Sequence, residues 1–126
     1  MKLFSILLLL YVNGITQESQ TPVRVLTDGF NCKEGVIVAD QIRELVNEDS
    51  LLQAFSTGDS SFIIVEITSF TDGGTAVINA GFATVTPLQR SDLDYKFTRR
   101  LVSKTLSDMR EISMNIVEKI HLIRKS

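Results

Sequence analysis

Three stretches between residues 23 and 86 carry the hydrophobic pattern of β-strands. Residues 23–27 place β-branched side chains on one face, and residues 62–70 form the strongest strand pattern, rich in isoleucine, valine and phenylalanine. Residues 75–86 form the third, which Pro87 ends. Residues 71–74 (Thr-Asp-Gly-Gly) separate the last two strands and predict a hairpin turn, because glycine adopts the positive φ that tight turns demand.

After the first predicted strand the spacing changes to a helical period. The apolar positions of this first helix, three or four residues apart, are Val38, Ile42, Leu45 and Val46. The pattern weakens over residues 47–50 and resumes over residues 51–55. This indicates either one kinked helix or two short helices, the second of them capped by Asp49 or Ser50.

A second helix is predicted over residues 91–109. Ser91 and Asp94 resemble a capping box, with aspartate in place of the more usual glutamate. The apolar positions of this helix are Leu93, Phe97, Leu101, Val102, Leu106 and Met109. Residues 112–122 then place apolar side chains on even positions, which predicts a last strand.

The predicted order of elements is therefore βαββαβ. It favours an α+β fold, a ferredoxin-like sandwich in which an antiparallel or mixed four-stranded sheet carries its helices on one face. We expect a single domain over residues 23–123, preceded by a loose lead-in over residues 18–22.

The N-terminus has the plan of a secretory signal peptide. A lysine beside the start precedes a short apolar run over residues 6–12, and small and polar residues follow it. We predict that residues 1–17 form the signal, with the cut after Gly14 or else after Thr16 or Gln17. A membrane anchor needs about 20 consecutive apolar residues, and no run in the chain has that length. The sequence thus predicts a secreted, extracellular protein without stable membrane insertion.

Composition narrows the classes of partner. The net charge of −2 argues against a nucleic-acid surface, which normally shows a basic excess. A hydrophobic fraction of 44% supports a core, and the single cysteine, Cys32, excludes an internal disulfide. Two fates are open for Cys32: burial as a thiol, or an intermolecular disulfide that would join two copies of the chain in a homodimer.

The groups that catalysis requires are scarce. The one histidine, His121, falls on the polar side of the last predicted strand, where we expect an exposed residue rather than a base. A single histidine and a single cysteine do not make a metal site, so no cofactor is predicted. Asp92 and Asp94 have a structural explanation in the first turn of a predicted helix, and Glu48 and Asp49 have one at a helix break. The sequence therefore indicates a protein that is not an enzyme.

Three stretches resemble the SEA domain, an extracellular module of membrane mucins, agrin and enteropeptidase. Residues 70–78 (Phe-Thr-Asp-Gly-Gly-Thr-Ala-Val-Ile) look like its hairpin, where a phenylalanine leads into Gly-Ser and valines. Residues 91–97 look like the start of its second main helix, and residues 51–55 match the end of its first helical segment. The resemblance covers residues 23–122 in element order and implies a SEA-like fold.

Some SEA domains cleave themselves between the glycine and serine of the hairpin, where the serine hydroxyl attacks a strained carbonyl. The resemblance places the corresponding bond between Gly74 and Thr75, with Thr75 as nucleophile. This chain departs from the pattern by threonine for serine, by the extra Gly73 and by Ala76 in place of valine. Since the added glycine relaxes the turn, an ordinary hairpin is the stronger expectation.

We therefore expect a secreted, non-enzymatic interaction module with a SEA-like fold, whose partner is an extracellular protein or glycan. The alternative is a secreted protease inhibitor or small-ligand carrier of the cystatin-like class, although the Gln-x-Val-x-Gly hairpin and paired cysteines of cystatins are missing. A module that cleaves itself at Gly74–Thr75 ranks below both.

Overall fold

Two helices pack on one face of a mixed six-stranded open sheet in the described part of the chain, so the fold is α+β. The computed structural model describes residues 19–27, 29–94 and 96–126, and the predicted signal peptide (residues 1–17) lies outside them. The elements in chain order are β1 (Thr21–Leu26), α1 (Lys33–Glu48), β2 (Leu52–Ala54), β3 (Phe62–Asp72), β4 (Thr75–Val85), β5 (Arg90–Asp92), β6 (Phe97–Leu101) and α2 (Leu106–Lys125).

The sheet is parallel on one side and antiparallel on the other. Its strand order is β2-β1-β3-β4-β5, with β6 also paired to β4. Strand β1 runs parallel to both β2 and β3, and α1 makes the connection that a parallel pair needs. Strands β4, β5 and β6 continue the sheet with antiparallel pairs.

Strands β5 and β6 share one edge of β4. Ala83 of β4 pairs with Asp92 of β5, whereas Ala80 of β4 pairs with Phe97 of β6. Between these two pairs β4 has only Gly81 and Phe82, whereas the edge has four positions, and the described ones among them (Leu93, Asp94 and Lys96) form a bulge. The two short strands act as one edge strand that is interrupted by this bulge.

The strand predictions for the first half of the chain and the central hairpin are confirmed. Strand β1 begins at Thr21, two residues before the predicted start and inside the predicted lead-in. Strands β3 and β4 match the predicted hairpin, and its turn consists of Gly73 (φ 56°) and Gly74 (φ 84°). Positive φ at both positions is what a type I′ turn requires, and glycine meets this requirement without steric cost.

The second half of the predicted order βαββαβ is wrong, as is the number of four strands. Residues 91–109, predicted as a helix, contain part of β5, all of β6 and only the start of α2. Residues 112–122, predicted as a strand, lie within α2. The helix that follows the hairpin comes last, and its N-cap is Thr105, whose Oγ1 accepts the Asp108 backbone N–H at 3.1 Å, rather than Ser91.

The cause of the error is a spacing of four residues, which fits both periods. Phe97 and Leu101 lie four apart and are both buried on one side of β6, because four is also a multiple of two. In α2 the residues Ile112, Ile116 and Ile120 share an even parity and are buried on one helical face. Neither set can distinguish a helix from a strand by itself.

Strand β2 replaces the predicted continuation of the first helix. Helix α1 ends at Glu48, and the Asp49 carboxylate accepts the Leu51 backbone N–H at 2.9 Å, which turns the chain. Leu52, which is buried, then enters β2 and pairs with Thr21 of β1. The predicted second helical segment over residues 51–55 is therefore wrong.

The core fills the space between the helices and one face of the sheet. Its sheet residues are Val23, Leu52, Ile63, Val65, Ile67, Ala76, Ile78, Ala80, Phe82, Phe97 and Leu101. Its helical residues are Val38, Ala39, Ile42, Val46, Met109, Ile112, Ile116, Val117, Ile120 and Ile123. Each large aliphatic side chain buried in this way contributes about 1.5–3 kcal/mol, so the core holds the fold without a disulfide.

Helix α1 approaches the sheet closely at Gly35. A Cβ at this position would lie 1.9 Å from Ser69 Oγ and 2.6 Å from Ser69 Cβ. The buried Ser69 hydroxyl accepts the Cys32 backbone N–H at 3.0 Å and donates to Asn31 Oδ1 at 2.9 Å. Ser69 thereby satisfies the backbone N–H of Cys32, the N-cap residue of α1, whose own side chain makes no cap.

Candidate functional site

The sheet face opposite the helices is open. Alternate residues of β3 and β4 point to this face, in the cross-strand pairs Ile64–Ala83, Glu66–Gly81, Thr68–Asn79 and Phe70–Val77. These four pairs form a row across the face, with polar residues in the two middle pairs and apolar residues in the two end pairs. Phe70 is 43% exposed at one end, whereas Val77, Ile64 and Ala83 are buried, so the accessible apolar surface of this row is limited to Phe70.

A groove of about 580 Å³ lies on the open face where the edge strand is interrupted. Gly81 forms the floor of the groove and has no side chain to fill it. A Cβ built at this position would meet no atom within 4 Å. Glu66 and Thr68 line one side, and the bulge with its flanking strands lines the other. We call this the open-face groove, and its lining residues are Ile64, Glu66, Thr68, Asn79, Ala80, Gly81, Phe82, Ala83, Arg90, Asp92, Leu93, Lys96 and Thr98.

The polar groups of the open-face groove fall into two sets. Thr98 Oγ1 donates to Asn79 Oδ1 at 2.9 Å, and Arg90 forms an ion pair with Asp92 at 3.0 Å. The side chains of Glu66 and Lys96 form no hydrogen bond or ion pair with the described residues. The groove therefore presents a carboxylate and an ammonium group that are available to a ligand.

The hairpin places the predicted cleavage bond, Gly74–Thr75, at the tip of β3 and β4. Thr75 Oγ1 donates to the Asp72 carbonyl at 2.7 Å and accepts from Arg100 Nη1 at 2.7 Å. Arg100 also forms an ion pair with the Asp72 carboxylate at 3.3 Å. The hydroxyl is thus held by two partners at an exposed turn, which lies apart from the groove.

Cys32 is the N-cap of α1 and is half-buried. It packs against the core without being part of it, and it is a free thiol. Its position agrees with neither of the two predicted fates in full, and the intermolecular disulfide stays a prediction.

His121 lies in α2 rather than on an exposed strand, which corrects its predicted setting. Its Nε2 lies 2.7 Å from Asp49 Oδ2, and the two side chains are only 24% and 22% exposed. Burial raises the pKa of Asp49, but the Leu51 N–H, the His121 contact and the Arg124 charge together lower this pKa below its ordinary value of 3.8. The pair joins the end of α1 to α2.

The sequence missed this pair because its members are 72 positions apart. No described serine, threonine or cysteine side chain has a hydrogen bond to His121 in the structure, so the contact is explained as a link between helices. The only signal in the sequence was Asp49 itself, at the break in the helical pattern.

The two predicted carboxylate pairs are placed differently by the structure. Asp92 lies in β5 beside Arg90, and Asp94 lies exposed in the bulge, so the predicted helix-dipole role of these two residues is wrong. Glu48 is the last residue of α1 and Asp49 is its C-cap, as a helix break requires. Across residues 19–27, 29–94 and 96–126, no three histidine, cysteine or carboxylate side chains gather as metal ligands.

Within the same described ranges, no helix has the length and apolar content to cross a bilayer. No protein-family model, no curated protein and no solved structure matches the chain.

Proposed function

We propose that the protein is a secreted, non-enzymatic interaction module that binds an extracellular protein or glycan through the open face of its sheet. The observation that carries this proposal is the open-face groove. A concave site of about 580 Å³ with a few polar groups has the dimensions of a ligand-binding site. Its carboxylate Glu66 and ammonium Lys96 are free to hydrogen-bond a partner.

The chemistry of the groove favours binding over turnover. Its side chains include no histidine or cysteine, and its arginine is already paired with a carboxylate. Acyl transfer needs a nucleophile beside a base, and the threonine hydroxyls Thr68 and Thr98 have no base that contacts them. Recognition by hydrogen bonds and ion pairs is what such a lining supports.

The SEA-like fold stays part of the proposal. Residues 70–78 lie in a two-stranded hairpin, and both helices lie on one sheet face, as a SEA-like fold implies. The other two stretches weaken the likeness, because residues 51–55 contain β2, and residues 91–97 contain the end of β5 and the bulge. Support for the family therefore rests on the hairpin.

The experiment is a binding screen that compares the protein with a variant in which a large side chain fills the groove. The purified protein is offered to arrays of secreted proteins, cell-surface ectodomains and glycans, in parallel with Gly81→Phe. The new side chain meets open space and occupies the groove floor. Gly58→Phe is the matched control, since Gly58 also faces open space but lies outside the groove lining.

A partner that binds the protein and Gly58→Phe, and binds Gly81→Phe at least tenfold more weakly, supports the proposal. Two results would overturn it: no binder at micromolar concentration, or binders that the groove substitution does not affect. Turnover of a bound compound, abolished by a groove substitution, would contradict the non-enzymatic part.

The second candidate is a carrier of a small polar ligand. The volume of the open-face groove favours it, since pockets of roughly 300–1,000 Å³ hold small molecules. Native mass spectrometry of the purified protein should then show a retained compound that Gly81→Phe lacks. The same preparation can be assayed against cysteine and serine proteases, which tests the inhibitor class.

A further inference from the structure

The outer edge of β6 has no strand beside it. Strand β6 pairs with β4 on one side, and no described strand pairs with the other. An edge strand presents a row of backbone N–H and C=O groups that an extended chain can bind. Such edges are usually shielded, so the neighbouring surface decides whether this one is accessible.

A trough runs along this edge, between β6 and one flank of α2. It consists of three depressions of about 260, 430 and 520 Å³. The first two share Arg99, and the last two share Lys96 and Lys119, so the depressions adjoin one another along the edge. We call this the edge trough.

Helix α2 is held by its opposite flank, which leaves the trough flank uncovered. Arg110 pairs with Glu44 at 3.7 Å, Ser113 donates to Gln41 at 2.7 Å, and His121 contacts Asp49. All three contacts point to α1. The residues of α2 that line the trough, among them Asn115, Glu118 and Leu122, lie on the other side of the helix.

The two sides of an added strand would meet different surroundings. On the helix side, the two ends of the trough expose the apolar side chains Val102 and Leu122, and Arg99 lies between them over the ring of the buried Phe97. The flank of α2 adds the carboxylates Asp108, Glu111 and Glu118, which disfavour an acidic partner residue on this side. On the open-face side the edge carries Lys96 at the bulge and Arg100, which is also paired with Asp72 but is 53% exposed. A strand that alternates apolar and acidic residues matches both, because successive side chains point to opposite faces.

From this we infer that the edge trough is a strand-addition site for an extended partner segment that alternates acidic and apolar residues. A second copy of this chain is a poor occupant. Antiparallel self-pairing of β6 centred on Arg99 would place this arginine against its own copy, and a register shift of one residue would place Arg99 against Arg100. Like charges directly opposite are destabilising.

The test uses a short synthetic peptide in which glutamate and valine alternate and both termini are chemically blocked. The peptide is titrated into the purified protein, and its affinity is measured. The control peptide replaces each glutamate by lysine. Because the protein carries a net charge of −2, overall attraction would favour the lysine peptide. We expect the glutamate peptide to bind at least tenfold more tightly, which only local charge at the edge explains.

Two further peptides carry N-methyl groups at the odd or at the even positions. Since alternate backbone amides point to one edge, one of these two should lose at least tenfold in affinity. The double variant Lys96→Glu/Arg100→Glu should bind the glutamate peptide at least tenfold more weakly. Lys33→Glu, in the first turn of α1 and outside the trough, reverses a charge and should bind normally.

Gly81→Phe separates this inference from the proposed function. It fills the open-face groove, so it should leave peptide binding unchanged. The inference is overturned if the glutamate and lysine peptides bind alike, if neither N-methyl pattern matters, or if the charge-reversed variant binds as the protein does. A concentration-dependent dimer that Lys96→Glu/Arg100→Glu abolishes would overturn it as well, because it would make a second copy the occupant.

Discussion

Replacement of Gly35 by alanine should destabilise the protein, although alanine is the better helix former. The added methyl group would lie 1.9 Å from Ser69 Oγ, whereas non-bonded heavy atoms rest near 3.5–4 Å. Helix α1 would have to move away from β3, or the Ser69 side chain would have to rotate and break its bonds with Cys32 and Asn31.

The opposing contributions can be compared. Overpacking of a core costs about 1–3 kcal/mol, and a buried hydroxyl left without partners costs about 1–3 kcal/mol. In the opposite direction, alanine stabilises the protein by about 0.4–1 kcal/mol, because it reduces the conformational entropy of the unfolded chain. Because either helix α1 or the Ser69 side chain can move, we expect Gly35→Ala to lower the free energy of unfolding by about 2 kcal/mol. Urea unfolding should show this loss as a lower midpoint with an unchanged slope.

The matched control is the same substitution in a Ser69→Gly background. Ser69→Gly removes both clashing atoms, so Gly35→Ala should there be neutral or slightly stabilising, after a small adjustment of Asn31. The double-mutant cycle should give a coupling of about 2 kcal/mol. A coupling within about 0.5 kcal/mol of zero, or a Gly35→Ala protein more stable than its parent, would refute this account of the helix–sheet contact.

Three further predictions concern the helix link and the hairpin. Because the pKa of Asp49 is lower in the folded protein than in the unfolded chain, its stabilising effect is present above about pH 4 and is lost as the pH falls through the folded value. The difference in unfolding free energy between the protein and Asp49→Asn should therefore shrink between pH 5 and pH 2 in urea titrations; a constant difference would contradict the lowered pKa. His121→Ala removes a partly buried contact and should lower the unfolding free energy by about 1 kcal/mol, and no change in thermal midpoint would show that the contact carries no stability. Thr75→Ala should run as one band on a denaturing gel, as should the unchanged protein; two fragments that Thr75→Ala abolishes would establish self-cleavage.

The sequence predicted the elements whose patterns have a single interpretation. Residues 62–70 are β-branched and aromatic over a length that suits a strand, and the two glycines after Asp72 demand a turn. In contrast, Phe97 and Leu101 carry a spacing of four that fits both a helix and a strand. Tertiary pairing decides such cases, because β4 offers an edge that these residues can join.

The open-face groove could not be predicted from local pattern. It depends on the register of β4 against two separate strands, which places Gly81 opposite the bulge. Register is a property of the assembled sheet, and a change of one residue would reverse which side chains face the helices. Glu66 was the one visible signal, as a charged residue within the most hydrophobic strand.

The most direct test of the central proposal, binding through the open face, is a chemical-shift map of the isotopically labelled protein titrated with a partner from the screen. The largest shifts of backbone and side-chain signals should occur at Glu66, Asn79 and Gly81, and those of Glu66 and Asn79 should be absent in Gly81→Phe. Shifts confined to the surface of α1 and α2, with the signals of these three residues unchanged, would contradict it.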